Sequence, residues 1–283
     1  MFVAETIQGA RDYLSRRMKG NVLGLVPTMG FLHKGHLSLV RKCRSENNIT
    51  AVSIFVNPIQ FGPNEDFETY PRDIEKDLSL LEGEGVDIVF TPSPAEMYPE
   101  DLSVYVNETS LSSGLCGASR PGHFRGVCTV ISKLFNIMCP DRAYFGQKDY
   151  QQVQVIKRMV RDLNFPVEIV PCPIVRDEDG LAVSSRNVYL SSEERNAALV
   201  LNKSLSMAEE MVRNGEKSPG NVIKAVSDNI NSEPLLTIDY VALKDADSLA
   251  DMDAIDGRAV LALAVRVGKT RLIDNIVLAP AVK

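Results

Sequence analysis

Asn21-Val22-Leu23-Gly24-Leu25-Val26-Pro27-Thr28-Met29-Gly30-Phe31-Leu32-His33-Lys34-Gly35-His36 decides the fold. Val22–Val26 is a short apolar run. Pro27 stops it, because proline has no amide donor and restricts the residue before it. Thr28-Met29-Gly30 then reads as a loop, and a helix is expected from Gly35-His36 through Leu37, Val40 and Cys43. Next comes Ile49-Thr50-Ala51-Val52-Ser53-Ile54-Phe55-Val56, rich in β-branched residues and ended by Asn57-Pro58. Strand, loop, helix and strand at this spacing make a βαβ unit.

The alternation continues outward. Pro71 is expected to open a helix through Ile74, Leu78 and Leu81, with a strand at Val86–Phe90. Between Phe124 and Met138, apolar residues trace one helical face. Ala143–Phe145 reads as a strand, Tyr150–Leu163 as a helix and Val167–Val170 as a strand. Composition changes after Pro171-Cys172-Pro173. Ser191 with Glu194 is a capping-box pattern opening a helix past Ala198 and Met211. A turn at 215–220, a helix at Val222–Ile230 and strands at 236–241, 259–267 and 272–277 follow. The expected fold is α/β: a Rossmann-like parallel sheet with helices on both faces (1–175), plus a smaller C-terminal α+β domain (176–283) expected to close over the site.

The chain has 283 residues, 45% of them hydrophobic and 24% charged, which excludes a disulfide-stapled miniature and a disordered chain. Lys plus Arg number 31 against 37 Asp plus Glu, so a generally basic nucleic-acid surface is not expected. Five cysteines without a CxxC pair suit a reducing compartment. Cys128, Cys139 and Cys172 are expected to be buried or inert. With no transmembrane-length run and no signal pattern at the N-terminus, the expectation is a cytoplasmic protein with no membrane partner.

Two of the three histidines, His33 and His36, stand where a strand-ending loop feeds a helix N-terminus. Imidazole N–H groups and unpaired helix amides both suit phosphate oxygens. The loop is neither GxxxxGK[ST] nor GxGxxG, and the pair has no HExxH pattern for zinc. Alone, the spacing also fits an ordinary strand-to-helix turn. Polar groups follow other strands: Gln60 after Asn57-Pro58-Ile59; Gly146-Gln147-Lys148-Asp149, where Asp149 with Gln152 also fits a structural capping box; and Ser184-Ser185-Arg186, which also fits a solvated linker. The stretch from Arg120 to Arg125 adds cations and glycines without a diagnostic pattern. A generic nucleotidyltransferase, an RNA-binding module and a non-catalytic protein are the alternatives. Net acidity opposes the second, and polar residues after several strand ends oppose the third.

Taken in order, Pro27–His36, Phe55–Gly62, Tyr70-Pro71-Arg72, Gly122–Gly126, Gly146–Gln152 and Ser184–Asn187 resemble the pantoate–β-alanine ligase family, a branch of the HIGH-motif nucleotidyltransferases that also include class I aminoacyl-tRNA synthetases. The resemblance spans essentially the whole chain. It implies an ATP-dependent ligase that joins (R)-pantoate to β-alanine through an enzyme-bound pantoyl adenylate, releasing pyrophosphate and then AMP, with Mg2+ and as a homodimer. By resemblance, Met29, Gly30, Phe31, Leu32, His33, Lys34, Gly35 and His36 form the ATP loop, with His36 as proton donor. Gln60 and Gln152 grip pantoate. Gly146, Gln147, Lys148, Asp149 and Val175 meet the nucleotide, with Lys148 beside the phosphates. Val183, Ser184, Ser185 and Arg186 match the mobile KMSKS-like loop, with Val183 where the family commonly has Met or Leu. Asp77 matches a position tied to the magnesium region.

Overall fold

The computed structural model describes residues 1–17, 20–63 and 65–280. The chain divides into two units. The first comprises Met1–Ser113, Arg120–Gln147 and Gln152–Pro173; the second comprises Gly114–Ser119, Lys148–Gln151 and the chain from Ile174 onward. Two short segments of the first half therefore go with the second unit.

The first unit is built on a parallel sheet. Its strands are β1 (Phe2–Ala4), β2 (Leu23–Thr28), β3 (Ile49–Ile54), β4 (Ile88–Phe90), β5 (Arg142–Gly146) and β6 (Glu168–Cys172), in the order β1-β4-β3-β2-β5-β6. Its helices are α1 (Ile7–Ser15), α2 (Lys34–Glu46), α3 (Ile74–Gly83), α4 (Pro94–Met97), α6 (His123–Met138) and α7 (Tyr150–Asp162, whose first two residues group with the second unit); the four-residue α5 (Cys116–Ser119) lies in the second unit. The β2 and β3 strands are buried along nearly their whole length, the pattern of a sheet covered on both faces. On one face Val26, Val52, Val89 and Tyr144 pack with Leu39, Val40 and Cys43 of α2 and Leu81 of α3. The strand order reverses between β2 and β5, which pair through Gly24 with Arg142 and Leu25 with Ala143. Open α/β sheets bind ligands beyond the carboxyl ends of strands at such a reversal. The loops after β2 and β5 both leave from that point.

Several local expectations are corrected. The helix expected from Pro71 starts at Ile74, because the Asp73 side chain caps it by accepting from Lys76 N–H at 3.2 Å. Tyr70–Arg72 stays outside, with the Arg72 guanidinium bonded to the Tyr70 and Phe67 carbonyls at 2.9 Å each. The strand expected to end at Val170 runs through Pro171 to Cys172, which an edge strand tolerates. The α6 helix is buried on more than one side, since α1, which sequence periodicity did not reveal, packs on it in addition to β2. Cys139, expected to be buried or inert, is exposed, because it ends α6 in a left-handed conformation, φ 48°.

The second unit has an antiparallel sheet of β7 (Leu236–Asp245), β8 (Ala259–Val267) and β9 (Thr270–Leu278), with β8 central, and the helices α8 (Ser192–Arg213) and α9 (Pro219–Asn231). Ser191 and Glu194 form the expected reciprocal cap of α8. Ala198, Leu201 and Leu205 of α8, Val222 and Val226 of α9, and Leu261, Leu263 and Val265 of β8 make one core. A smaller cluster seats Tyr150 among Ala246, Val260 and Ala262. There the Tyr150 hydroxyl donates to the Ala246 carbonyl at 2.8 Å.

Candidate active site

The loop after β2 is held from below. Thr28 Oγ1 donates to the Ser53 carbonyl (2.8 Å) and accepts from Gly30 N–H (3.1 Å), tying the loop's first turn to β3. Gly30 has φ 81°, and a Cβ there would meet Ile54 Cγ2 at 2.9 Å and Asp77 Oδ2 at 3.0 Å, so glycine is required twice over. Phe31 follows at φ 51°, a left-handed conformation costing a side-chain-bearing residue about 1–2 kcal/mol.

Asp77 holds that strained turn. Reaching in from the first turn of α3, its Oδ2 accepts from Phe31 N–H and its Oδ1 from Leu32 N–H, both at 2.7 Å, and the residue is 1% exposed. Burial pushes its carboxyl up, while the two amide bonds pull the other way and leave the net value raised. Both oxygens are thus committed to the backbone. Asp77 braces the loop after β2, a structural duty that the sequence reading, which placed it in a metal region, did not include.

His33 takes the N-cap position of α2, but its side chain makes no capping bond, and the first turn of this helix contains no acidic residue. The helix therefore presents its opening amides and positive dipole end at the end of β2. The His33 and His36 rings stack there, centroids 4.0 Å apart and 19° from parallel. Met29, Gly30, Phe31, Leu32, His33, Lys34, Gly35 and His36 thus form one continuous turn into the helix, in which Lys34 is exposed.

Gln60 sits on a single 3-10 turn, Pro58–Gln60, and is 8% exposed. Its orientation is fixed by partners. Asn57 Nδ2 donates to Gln60 Oε1 at 3.0 Å and to the Gly126 carbonyl at 3.1 Å, and Tyr98 Oη donates to Asn57 Oδ1 at 2.7 Å. With its oxygen occupied, the amide turns its Nε2 donor edge toward Met29, where Sδ lies at 2.9 Å. Gln60 thus reaches the loop after β2 as a donor, which suits a carboxylate or hydroxyl oxygen.

A second set of contacts holds the Gln60 backbone. His123 Nδ1 lies 2.9 Å from the Gln60 carbonyl and its Nε2 3.1 Å from Arg120 Nη1. A carbonyl only accepts and a guanidinium only donates, so these partners assign the proton to Nδ1 and leave Nε2 as acceptor. Arg120 is in turn gripped by Glu65 through two bonds of 2.6 Å. Burial pushes the Glu65 carboxyl up, but the Arg120 guanidinium and a backbone amide outweigh it, and the net value is lowered. Gly126 makes the approach feasible: a Cβ there would lie 2.5 Å from the Ile59 carbonyl oxygen and 2.6 Å from Gln60 Cα.

The other expected residues divide between the units. In the first, Gly146 ends β5, Gln147 opens the 3-10 turn after it, and Gln152 lies half-buried on α7. Its neighbour Gln151, in the second unit, is engaged structurally, accepting from Cys116 N–H at 2.9 Å and donating to the Gly114 carbonyl at 2.7 Å. Also in the second unit are half-buried Lys148 and exposed Asp149. Val175 and Val183 pair across a hairpin, Val183 N–H donating to the Val175 carbonyl at 3.0 Å. Ser184 Oγ accepts from Arg186 N–H at 3.3 Å and opens a 3-10 turn over Ser185–Tyr189, in which Ser185 is buried and Arg186 half-buried.

Sequence reasoning passed over Asn57, Arg120 and His123 as supports of this site, and it did not foresee the brace that Asp77 forms. Asp77 did leave a signal: it falls on the apolar face of α3, between Ile74 and Leu81, where a charge must have buried partners. His123 showed only as part of the family-like Gly122–Gly126 stretch and Arg120 left no diagnostic signal, since their job is to hold a backbone carbonyl far away in sequence. Burial pushes the Cys43 and Cys128 thiols to about 12 and Cys172 to about 11, so none of the three supplies a ready thiolate at neutral pH.

Comparisons with known proteins place the whole chain in a family. Residues 2–277 match the family model described as pantoate-beta-alanine ligase. The chain is 58% identical over 278 residues to the pantothenate synthetase of Acetivibrio thermocellus, covering 98% of this chain and 99% of that protein. The crystal structure of pantothenate synthetase from Thermus thermophilus superposes with a TM-score of 0.94 at 46% identity, covering 99% of this chain and 100% of that one. The pantoate-beta-alanine ligase of Francisella tularensis, solved in complex with beta-gamma ATP and beta-alanine, superposes at 0.81 with 34% identity, over 98% of this chain and 97% of that one.

Proposed function

The chain belongs to the pantoate–β-alanine ligase family, and from that premise we propose which of its residues carry each part of the reaction. The reaction is the ATP-dependent condensation of pantoate with β-alanine. In the first step a pantoate carboxylate oxygen attacks the α-phosphorus of ATP, pyrophosphate leaves with the electron pair of the broken P–O bond, and pantoyl adenylate forms. In the second, the β-alanine amine attacks the acyl carbon and loses a proton. AMP departs with the former carboxylate oxygen, leaving the amide pantothenate. Adenylation converts a poor leaving group into a good one, so no covalent enzyme nucleophile is needed.

The observation that carries the assignment is the stacked His33–His36 pair at the start of α2, beside the strand reversal. Two imidazoles and helix-start amides give N–H donors for charge that grows on the phosphoryl oxygens during transfer. His36, one helical turn in, donates to the reacting phosphate, and His33 to its neighbour. Met29, Gly30, Phe31, Leu32, Lys34 and Gly35 supply backbone. Gln60 donates through Nε2 to pantoate, an assignment supported by Asn57's hold on its oxygen, and Gln152 is its second grip. Gly146 and Gln147 meet the nucleotide in the first unit. In the second, Lys148 serves the phosphates, Asp149 and Val175 the nucleoside, and Val183, Ser184, Ser185 and Arg186 the phosphate-facing turn.

The test is pantoate-dependent ATP–pyrophosphate exchange by His36→Ala. Loss of one donor to developing charge predicts a fall of about 100- to 1000-fold. Exchange near the wild-type rate removes His36 from the mechanism.

Among the described residues, no three His, Cys, Asp or Glu side chains gather as a metal cage, and both Asp77 oxygens are on backbone amides. These residues do not fit a protein-held ion. We assign Mg2+ to the ATP it arrives with, since the ion commonly rests on substrate phosphates and water. Free cysteines at 43, 116, 128, 139 and 172 support a reducing cytoplasm as the location. Among the described residues, no helix is long and apolar enough to cross a membrane. We assign no nucleic-acid partner, on net acidity, and a homodimeric state, on the family resemblance. Light scattering at working concentration checks the latter, a monomer mass rejecting it.

A further inference from the structure

The β9 strand carries two consecutive buried polar side chains, Asp274 (3% exposed) and Asn275 (4%), opposite Leu263 and Ala262 of β8. Consecutive residues of a strand face opposite ways, so the two serve different neighbours. Asp274 takes the Arg176 guanidinium in a bidentate grip, Oδ2 accepting from Nη1 at 2.6 Å and Oδ1 from Nη2 at 3.0 Å. Arg176 Nη1 also donates to the Gly180 carbonyl at 3.3 Å, and Arg176 bridges to Ala182 across the hairpin that joins Val175 to Val183. Asn275 turns the other way and donates from Nδ2 to the Lys148 carbonyl at 2.8 Å. The two are joined as well, since Asn275 N–H donates to Asp274 Oδ1 at 2.8 Å.

Burying such groups is unfavourable unless every one is bonded, and a buried hydrophobic pair would hold a sheet as well. What polar bonding adds is direction. The Asn275 bond fixes the plane of the peptide after Lys148, and with it the line along which the Lys148 stem leaves the chain. The Tyr150 cluster already anchors that segment by packing, so its attachment does not depend on Asn275.

We propose that Asp274 and Asn275 are a positioning pair that sets two nucleotide-binding segments of the second unit, Lys148 and the 175–183 hairpin, in fixed orientation for ATP. The inference rests on the assignment of Lys148 and Val175 given above. Neither residue of the pair touches substrate; each acts through the segment it holds.

The experiment is a double-mutant cycle read by pantoate-dependent ATP–pyrophosphate exchange. Asn275→Ala removes one neutral hydrogen bond and is expected to lower kcat/KM for ATP about three- to tenfold, with KM for pantoate unchanged. Asn275→Asp is isosteric but faces the Lys148 carbonyl with oxygen only, so it keeps the test open if the alanine variant does not fold; its loss is expected to be at least as large. In a Lys148→Ala background either change is expected to cost less than about twofold, because there is no side chain left to aim. Asp274→Asn is expected to raise KM for ATP and to couple with Arg176→Ala instead. Full additivity of Asn275 and Lys148 changes, or equal rises in KM for ATP and pantoate, overturns the pair's role while leaving Lys148 in place. Wild-type exchange by Lys148→Ala itself overturns the Lys148 assignment and the proposal with it.

Discussion

Replacing Asp77 by Asn tests how the loop proposed to bind phosphate is held. The carboxylate accepts Phe31 N–H and Leu32 N–H through separate oxygens at 2.7 Å each. The amide of Asn keeps one acceptor and turns an NH2 toward the other backbone N–H. One hydrogen bond to a charged group is therefore lost, about 1.5–3 kcal/mol. The bond matters because Phe31 stands at φ 51°, which it leaves readily once unheld. At about 1.4 kcal/mol per factor of ten, the fraction of molecules with the loop set for ATP falls roughly 10- to 100-fold. Overall stability moves much less. The buried charge, whose pKa burial pushes up, disappears along with the bond, so the melting temperature is expected to shift by no more than about 4 °C. The assay is pantoate-dependent pyrophosphate exchange beside a thermal melt. Phe31→Gly in the Asp77→Asn background supplies the internal check, since glycine occupies the left-handed region freely and is expected to recover about fivefold of the loss. Wild-type exchange by Asp77→Asn, or no recovery by Phe31→Gly, refutes the brace.

Two further outcomes follow from the Gln60 network. Gly126→Ala places a methyl 2.5 Å from the Ile59 carbonyl oxygen and against the Gln60 backbone, so the 3-10 turn must move; about 1–3 kcal/mol of stability and a raised KM for pantoate are expected, and an unchanged KM would show that Gln60 is not placed by this contact. Glu65→Gln probes linkage. The folded-state value of Glu65 lies below its ordinary 4.5, so its contribution to stability is complete above 4.5 and is lost as pH falls through the lowered value. Denaturant midpoints of wild type and Glu65→Gln are therefore expected to differ at pH 7 and to converge as pH drops below about 4.5; a gap constant with pH would separate the Arg120 grip from the carboxylate's charge. Asp77 has the opposite sign, favouring the fold below 3.8 and losing that contribution as pH rises through its raised value.

The parallel sheet was legible because β2 and β3 are buried on both faces and read as short apolar runs, although β2 runs through Pro27 to Thr28 instead of stopping at the proline, and β3 ends at Ile54, before Asn57-Pro58. The short edge strand β1 gave no such run, and with α1 also hidden, the second partner of α6 was invisible; hence its burial on more than one side came as a correction. The histidine pair was legible because a helix start beside two imidazoles has local meaning. The supports were not. Asp77 is 46 residues from Phe31, and Gln60 is 63 from His123. What joins them is tertiary contact, which neither periodicity nor spacing encodes. Asp77 left a trace, as a carboxylate on an apolar stripe.

The central claim is that ATP and pantoate react first, on the surface built by His33, His36 and Gln60, before β-alanine takes part. Isotope exchange between labelled pyrophosphate and ATP, run with and without pantoate and with β-alanine withheld, addresses it directly. Exchange that requires pantoate and proceeds without the amine is the predicted result. Exchange that ignores pantoate, or that begins only when β-alanine is added, contradicts the account.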